Sequence, residues 1–176
     1  MRLNFKLLGV LLATSVCALS TAQADSQNVF YFGAGAAKKT GAATQSSSPA
    51  ALGFLRLSHT TDSVWGLDVS SEGTMLDSTW GQVNAARQAT AFNILLGKNL
   101  NRTDNARLDA MLIAGFRETA SSCPRSYLGY QCYADQKPET SYAFNGGLAL
   151  TWTYKDFMFG ARVTGESTQA LVGFRF

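Results

Sequence analysis

The sequence holds a single histidine, His59, and it stands in the stretch LSHTTDS beside Ser58, with Asp62 and Ser63 just behind. A hydroxyl, an imidazole and a carboxylate are the parts of an activated nucleophile, so acyl transfer is the first chemistry to test. A base must come within hydrogen-bond reach of its nucleophile. Adjacent residues of an extended segment point to opposite faces, so Ser58 and His59 do not serve each other on a strand. A histidine in a turn is the simpler account. The segment GAGAAKKT, residues 33 to 40, approaches the spacing of a phosphate loop. Lys38 stands there where a second glycine must let the backbone come close. We therefore expect no enzyme, no nucleotide and no cofactor.

The cysteines depend on the compartment. MRLNFKLLGVLLATSVCALSTAQA, residues 1 to 24, has Arg2 and Lys6, an apolar run to about Leu19 and then Ala22-Gln23-Ala24. That is the charged, apolar and small-residue order of a cleaved export signal. A membrane anchor would need about 20 apolar residues, and Val16 before Cys17 is a poor lipoprotein site. Residues 25 to 176 are then the mature domain. Arg2 and Lys6 belong to the leader, so the 15 basic against 12 acidic residues of the whole chain overstate its basicity. Lys and Arg do not cluster as a nucleic-acid partner requires. In an oxidising compartment, Cys123 and Cys132 of CPRSYLGYQC are expected to form a disulfide. A ring that small contributes about 2.5 kcal/mol in the chain-entropy picture. Metal binding is the weaker alternative, because His59 is far away in sequence.

The elements that must position these residues alternate with period two. NVFYFGAGAA sets Phe30, Phe32 and Ala34 against Tyr31, Gly33 and Gly35; ALGFLRLS sets Leu52, Phe54 and Arg56 against Gly53, Leu55 and Leu57. SVWGLDVSSE, ATAFNILLGK, ARLDAMLIAGFR, SYAFNGGLALTWTY, DFMFGARVT and the terminal STQALVGFRF alternate likewise. That predicts eight strands, each long enough to cross a bilayer when tilted. The connections alternate between long, such as KKTGAATQSSSP and GTMLDSTWGQVNAAR, and short, HTTD, NLNRTDN and KD. The last, GES, is short where a long one is due.

A soluble lipocalin-type barrel also closes eight strands, but it is polar outside and apolar inside. Here one face gathers the bulky apolar and aromatic residues, while the other carries Gly, Ala, Asn, Thr and charges. A barrel of this size has a lumen only wide enough to be filled by side chains. The small, polar face therefore belongs inside and the apolar face against lipid. The fold expected is all-β: a closed eight-stranded antiparallel transmembrane barrel with up-and-down meander order.

The leader, the alternating segments, the loop asymmetry and the ending ALVGFRF resemble the small eight-stranded outer-membrane barrels of Gram-negative bacteria, the architecture of the OmpA transmembrane domain and of OmpX and Ail. The resemblance covers the whole mature chain. It implies that Ala170, Val172, Phe174 and Phe176 form the terminal signal read by the barrel-assembly machinery. It further implies a protein of the cell outer membrane in contact with lipid and lipopolysaccharide, expected to be a monomer. Barrels that modify lipid A or phospholipid are the enzymatic alternative, but His59 falls at the turn end, away from the surface leaflet.

On these registers Arg56, Arg107, Arg117, Arg162 and Arg175 face inward, as do Asp68, Glu72 and Asp109. Unpaired charges there would cost several kcal/mol each, so a salt-bridged lumen that does not conduct is expected; a selective pore is the alternative. Trp65, Trp152, Tyr154 and Phe157 fall at the turn end as an aromatic girdle. The remaining binding candidates are Arg125, Tyr127, Leu128, Tyr130 and Tyr133 of the cysteine-bounded loop, with Met75, Leu76 and Trp80 of the loop before it. Tyrosine and arginine supply interface area at low entropy cost, which suits a host or surface ligand. Packing at the headgroup boundary is the bland alternative.

Overall fold

In the computed structural model, residues 26–37, 48–76, 86–120 and 140–176 are described. They form β1 (Ser26–Ala37), β2 (Ala50–Ser58), β3 (Ser63–Leu76), β4 (Ala86–Arg102), β5 (Ala106–Ala120), β6 (Thr140–Tyr154), β7 (Phe157–Thr164) and β8 (Ser167–Arg175). Each strand pairs antiparallel with the next, and β8 returns to pair with β1, so the sheet closes as a meander. Closure leaves no sheet edge with unpaired N–H and C=O groups, the condition a strand must meet in hydrocarbon.

The two faces differ as the alternation dictates. On β5, Leu112 is 63% exposed and its neighbour Ile113 only 3%. Phe32, Leu52, Leu67, Ile94, Phe144 and Val172 continue the exposed apolar set around the barrel. An apolar belt on every strand is far larger than the patches a water-soluble monomer leaves open. It is the lipid face of a transmembrane barrel.

Inside, the expected small and polar filling is only part of what is found. Along β5 the inward residues run Arg107, Asp109, Met111, Ile113, Gly115, Arg117 from the turn end, and β8 follows the same polar–apolar–polar order. Val29, Leu55, Leu57, Val64, Leu95, Met111, Ile113, Met158 and Leu171 meet as one buried apolar cluster in mid-barrel. Tyr31 belongs to this cluster, and its ring lies over Gly53, where a Cβ would run into it.

That contact explains one departure from the sequence reading. Arg56 does not face the lumen: Ala51, Gly53, Leu55 and Leu57 are the buried residues of β2, whereas Leu52, Phe54 and Arg56 point outward. The strand is apolar on both faces, and the tyrosine on β1 needs the glycine beneath it. Three strands, β3, β4 and β5, are also markedly longer than the alternation suggested, at 14, 17 and 15 residues. β4 runs to Arg102, through a bulge between Asn99 and Asn101, so most of NLNRTDN is strand. The Asn99 side-chain amide stabilises this irregular stretch by donating to the Leu108 carbonyl at 3.0 Å and the Asn101 carbonyl at 3.2 Å. A second irregularity, between Ser71 and Thr74, contains Gly73 at φ 84, a conformation that side chains resist.

Filling the space beneath Tyr31 should therefore be costly. Gly53→Val is expected to destabilise the barrel by about 1–3 kcal/mol, the usual cost of overpacking. Gly165→Ala, at a site with nothing within 4 Å, should change little. Urea midpoints of the two variants in lipid vesicles check this; equal midpoints would contradict the packing described.

Candidate functional site

The inward charges fall into three groups, and the largest spans the lumen. Arg162 on β7 lies four strands from β3 in the circle of eight, which is diametrically opposite. Its Nη2 donates to Glu72 Oε1 at 2.9 Å, and its Nη1 lies 3.1 Å from Asp68 Oδ2. The second contact is an ion pair whose N–H is not aligned for a hydrogen bond. All three side chains are fully buried or nearly so.

Neutral groups complete the coordination. Asp68 accepts from Tyr31 OH at 2.7 Å and from Asn93 Nδ2 at 2.6 Å. Glu72 Oε1 accepts from Ser70 Oγ at 2.9 Å and Asn145 Nδ2 at 2.8 Å. Its Oε2 accepts from Thr164 Oγ1 at 2.8 Å and Ser167 Oγ at 2.5 Å. Asn145 also donates to Asn93 Oδ1 at 2.8 Å, and Gln169 to Ser167 Oγ at 3.0 Å. Residues of β1, β3, β4, β6, β7 and β8 are thus tied across the interior. A buried carboxylate is tolerable only when paired and fully hydrogen-bonded, and each of these has both kinds of partner. The neutral members share the inward parity of the charges, and that was the signal by which they could have been found.

At the turn end Arg107 Nε donates to Asp109 Oδ1 at 2.7 Å and Oδ2 at 3.0 Å, while its Nη1 reaches the Ser58 carbonyl at 2.9 Å. Asn99 gives Asp109 a further donor at 3.1 Å. Arg175 faces the same rim, donating to Gln27 Oε1 at 3.0 Å and lying 3.7 Å from Asp156. At the loop end Arg117 pairs at 2.7 Å with Glu166, a partner in the short β7–β8 turn that the alternation did not single out. Arg56 joins none of these groups.

The nucleophile parts do not assemble. Ser58 Oγ accepts from Thr61 N at 3.2 Å and Thr61 Oγ1 at 2.9 Å. His59 sits in the turn, with Arg102 Nη1 3.3 Å from its Nδ1 and 3.0 Å from its carbonyl oxygen, and the same Nη1 is 3.2 Å from Asp62. Partial burial, then the fields of Arg107, Arg102 and Arg175, hold the imidazole below its ordinary titration range. Among the described residues no group of His, Cys, Asp and Glu is arranged to hold a metal.

The binding candidates Arg125, Tyr127, Leu128, Tyr130 and Tyr133, and the pair Cys123 and Cys132, lie outside the described residues, as does Trp80. Of the terminal residues, Ala170, Val172, Phe174 and Phe176 face outward. Phe176 stacks on Phe30 at 5.5 Å, and its backbone exchanges hydrogen bonds of 3.0 and 3.3 Å with Asn28. Trp152 and Tyr154 stack at 5.7 Å on the outer face near the turn end, where Trp65 and Phe157 are also exposed.

Two outcomes follow. Arg162→Met leaves Asp68 and Glu72 without their cation and should cost about 3–5 kcal/mol, read as a lower urea midpoint. Adding Asp68→Asn and Glu72→Gln to that variant should restore much of the loss. His59 should titrate by NMR below its ordinary value of about 6.5. Because the folded state binds this proton less readily than the unfolded chain, its contribution to stability is complete above about pH 6.5. It is lost as the pH falls through the lower folded value.

No protein-family model matches the chain, and no curated protein matches its sequence. Solved structures are similar in backbone only. Ail, the attachment invasion locus protein of Yersinia pestis, in complex with the heparin analogue sucrose octasulfate, aligns at 15% identity and TM-score 0.47, over 86% of this chain and 98% of that one. Ail without that ligand aligns at 13% identity, TM-score 0.47 and the same coverage. Ail in a phospholipid bilayer nanodisc aligns at 13% identity and TM-score 0.43, over 86% of this chain and all of that one. At this distance the likeness carries nothing about function; the closed eight-stranded antiparallel barrel rests on the strand pairing of this chain itself.

Proposed function

We propose that the chain is an integral protein of the bacterial outer membrane whose lumen does not conduct and whose work is structural or done by its long loops. Residues 1–24 act as the export leader and residues 25–176 form the barrel. Lipid and lipopolysaccharide surround it, and it works as a monomer. Ala170, Val172, Phe174 and Phe176 present the terminal alternation to the assembly machinery. One observation carries this reading: an apolar belt encloses a lumen crossed by the Arg162–Asp68–Glu72 network and closed beneath it by the apolar cluster. A belt of that kind needs lipid as solvent, and an ion path would have to displace side chains that pair across the lumen.

We assign recognition of a partner to the segment of residues 121–139, between β5 and β6. Its Tyr127, Tyr130 and Tyr133 with Arg125 have the composition of a contact surface, and a Cys123–Cys132 bond would preorganise them. The arrangement around Ser58 and His59 gives an enzymatic reading no support, since Ser58 is engaged with Thr61 and not with the imidazole.

In planar bilayers the purified barrel should show no discrete conductance, and steady single-channel openings would sink the closed-lumen reading. Unheated samples should migrate differently from boiled ones on detergent gels, as a closed barrel does. Alkylation without reductant should leave Cys123 and Cys132 unmodified. Deleting residues 121–139 or replacing both cysteines should reduce adhesion of barrel-loaded nanodiscs to cultured cells while leaving the heat-dependent migration intact. Undiminished adhesion would exclude that loop.

A further inference from the structure

Two charged side chains face outward in the turn half of the strands, and both are basic. Arg56 on β2 shares the outer face with Leu52 and Phe54. Lys98 on β4 is exposed on the same side as Leu96, opposite Ala110 of β5. Neither has an ion-pair or hydrogen-bond partner among the described residues. A cation on the lipid face is unfavourable at mid-bilayer and tolerable only where it reaches the headgroups, so each needs an anion near the turn-end boundary.

Their spacing indicates a shared one. β3 alone separates the two strands, and on its outer face Trp65 is opposite Arg56, while Ser63 is opposite Lys98. Two strand widths are about 10 Å and the two-residue step from Trp65 to Ser63 adds about 7 Å along the strand, so the two backbones stand roughly 12 Å apart, within the combined reach of two long side chains bending toward one group between them. Trp65, exposed at this level, offers an aromatic surface and an indole N–H at the same boundary.

A groove begins at Lys98. Ala110, Leu150 and Ala161 follow Lys98 along one rung of the sheet, Leu112 and Leu148 stand on the next rung toward the loops, and together they line a groove with a volume of about 690 Å³, in the range of ligand-sized clefts. It crosses from β4 to β7. A rung is perpendicular to the strands, and because barrel strands tilt by about 35–45° the groove runs obliquely over the barrel wall.

We propose that this face holds one anionic glycerophospholipid of the turn-end leaflet, its phosphate between Arg56 and Lys98 beside Trp65 and one acyl chain in the Ala110–Ala161 groove. The inference rests on the membrane reading above. It differs from a general lipid shell in fixing a headgroup charge, a leaflet and a seat.

Native mass spectrometry of the detergent-purified barrel titrated with dioleoylphosphatidylglycerol, against dioleoylphosphatidylcholine with the same chains, tests it. One phosphatidylglycerol per barrel should be retained in preference to phosphatidylcholine. The double variant Arg56→Gln and Lys98→Gln should lower its apparent affinity about tenfold or more, the loss expected for charge-assisted contacts. Lys155→Asn, a cation in the β6–β7 turn, should leave it unchanged. Ala110→Phe should weaken both lipids by filling the groove. Equal retention of the two lipids, or undiminished phosphatidylglycerol binding by the double variant, overturns the headgroup site; unchanged binding by Ala110→Phe overturns the acyl seat. Heat-dependent migration is recorded for every variant. Its loss in the unaltered protein would instead strike the barrel reading itself.

Discussion

A guanidinium placed across a closed sheet imposes most of what surrounds it. Burying the Arg162 guanidinium inside the barrel is tolerable only with Asp68 and Glu72 on the opposite wall. Those carboxylates in turn require the donors of Tyr31, Asn93, Asn145, Thr164 and Ser167. Each donor must face inward, and that fixes the parity of the strand bearing it. Parity fixes which side chains face lipid, because a slip by one residue would exchange the two faces of a strand. The network is therefore a register device as much as a filling. Charged pairs that are replaceable in energy by apolar residues are hard to replace here in specificity.

The interior is not the uniform polar column that an inverted soluble barrel would suggest. It is polar at the loop end, apolar in the middle and polar again at the turn end. The apolar layer gains no hydrophobic energy relative to lipid, since lipid is as apolar as it is. Its value lies in packing and in excluding water from the space between the two ionic groups. Dryness strengthens the electrostatic contacts at its borders, so the network and the layer beneath it support each other.

The sequence made the fold legible because alternation survives wherever each strand separates two solvents. On β5 the contrast is plain: Leu108, Leu112 and Phe116 oppose Arg107, Asp109 and Arg117. β2 was the weak point. Leu52 and Phe54 oppose Leu55 and Leu57, so hydropathy cannot choose a face, and Arg56 was drawn inward by its charge alone. The decision came from Tyr31 needing Gly53 beneath it, a contact between strands that no single segment contains. The inward position of Arg162, Asp68 and Glu72 could be read from parity, but their partnership could not, because it joins strands opposite each other in the barrel. The bulge that lengthens β4 was hidden for a similar reason. Asn99 and Asn101 look like turn residues until Asn99 is seen to hold the irregular backbone together.

The pairing of β1 with β8 sets a condition on time. Val29 finds its partner in Arg175 and Phe30 in Phe174, so the seam joins strands separated by nearly the whole described chain. Until β8 has been synthesised, β1 has only one neighbour and the growing sheet keeps two open edges. Native contacts of such long sequence separation form slowly, because the chain entropy of closure is lost before the contacts compensate. The ring can therefore close only once β8, the eighth strand in chain order, pairs with β1. In that sense the stacked pair Phe30 and Phe176 is a clasp.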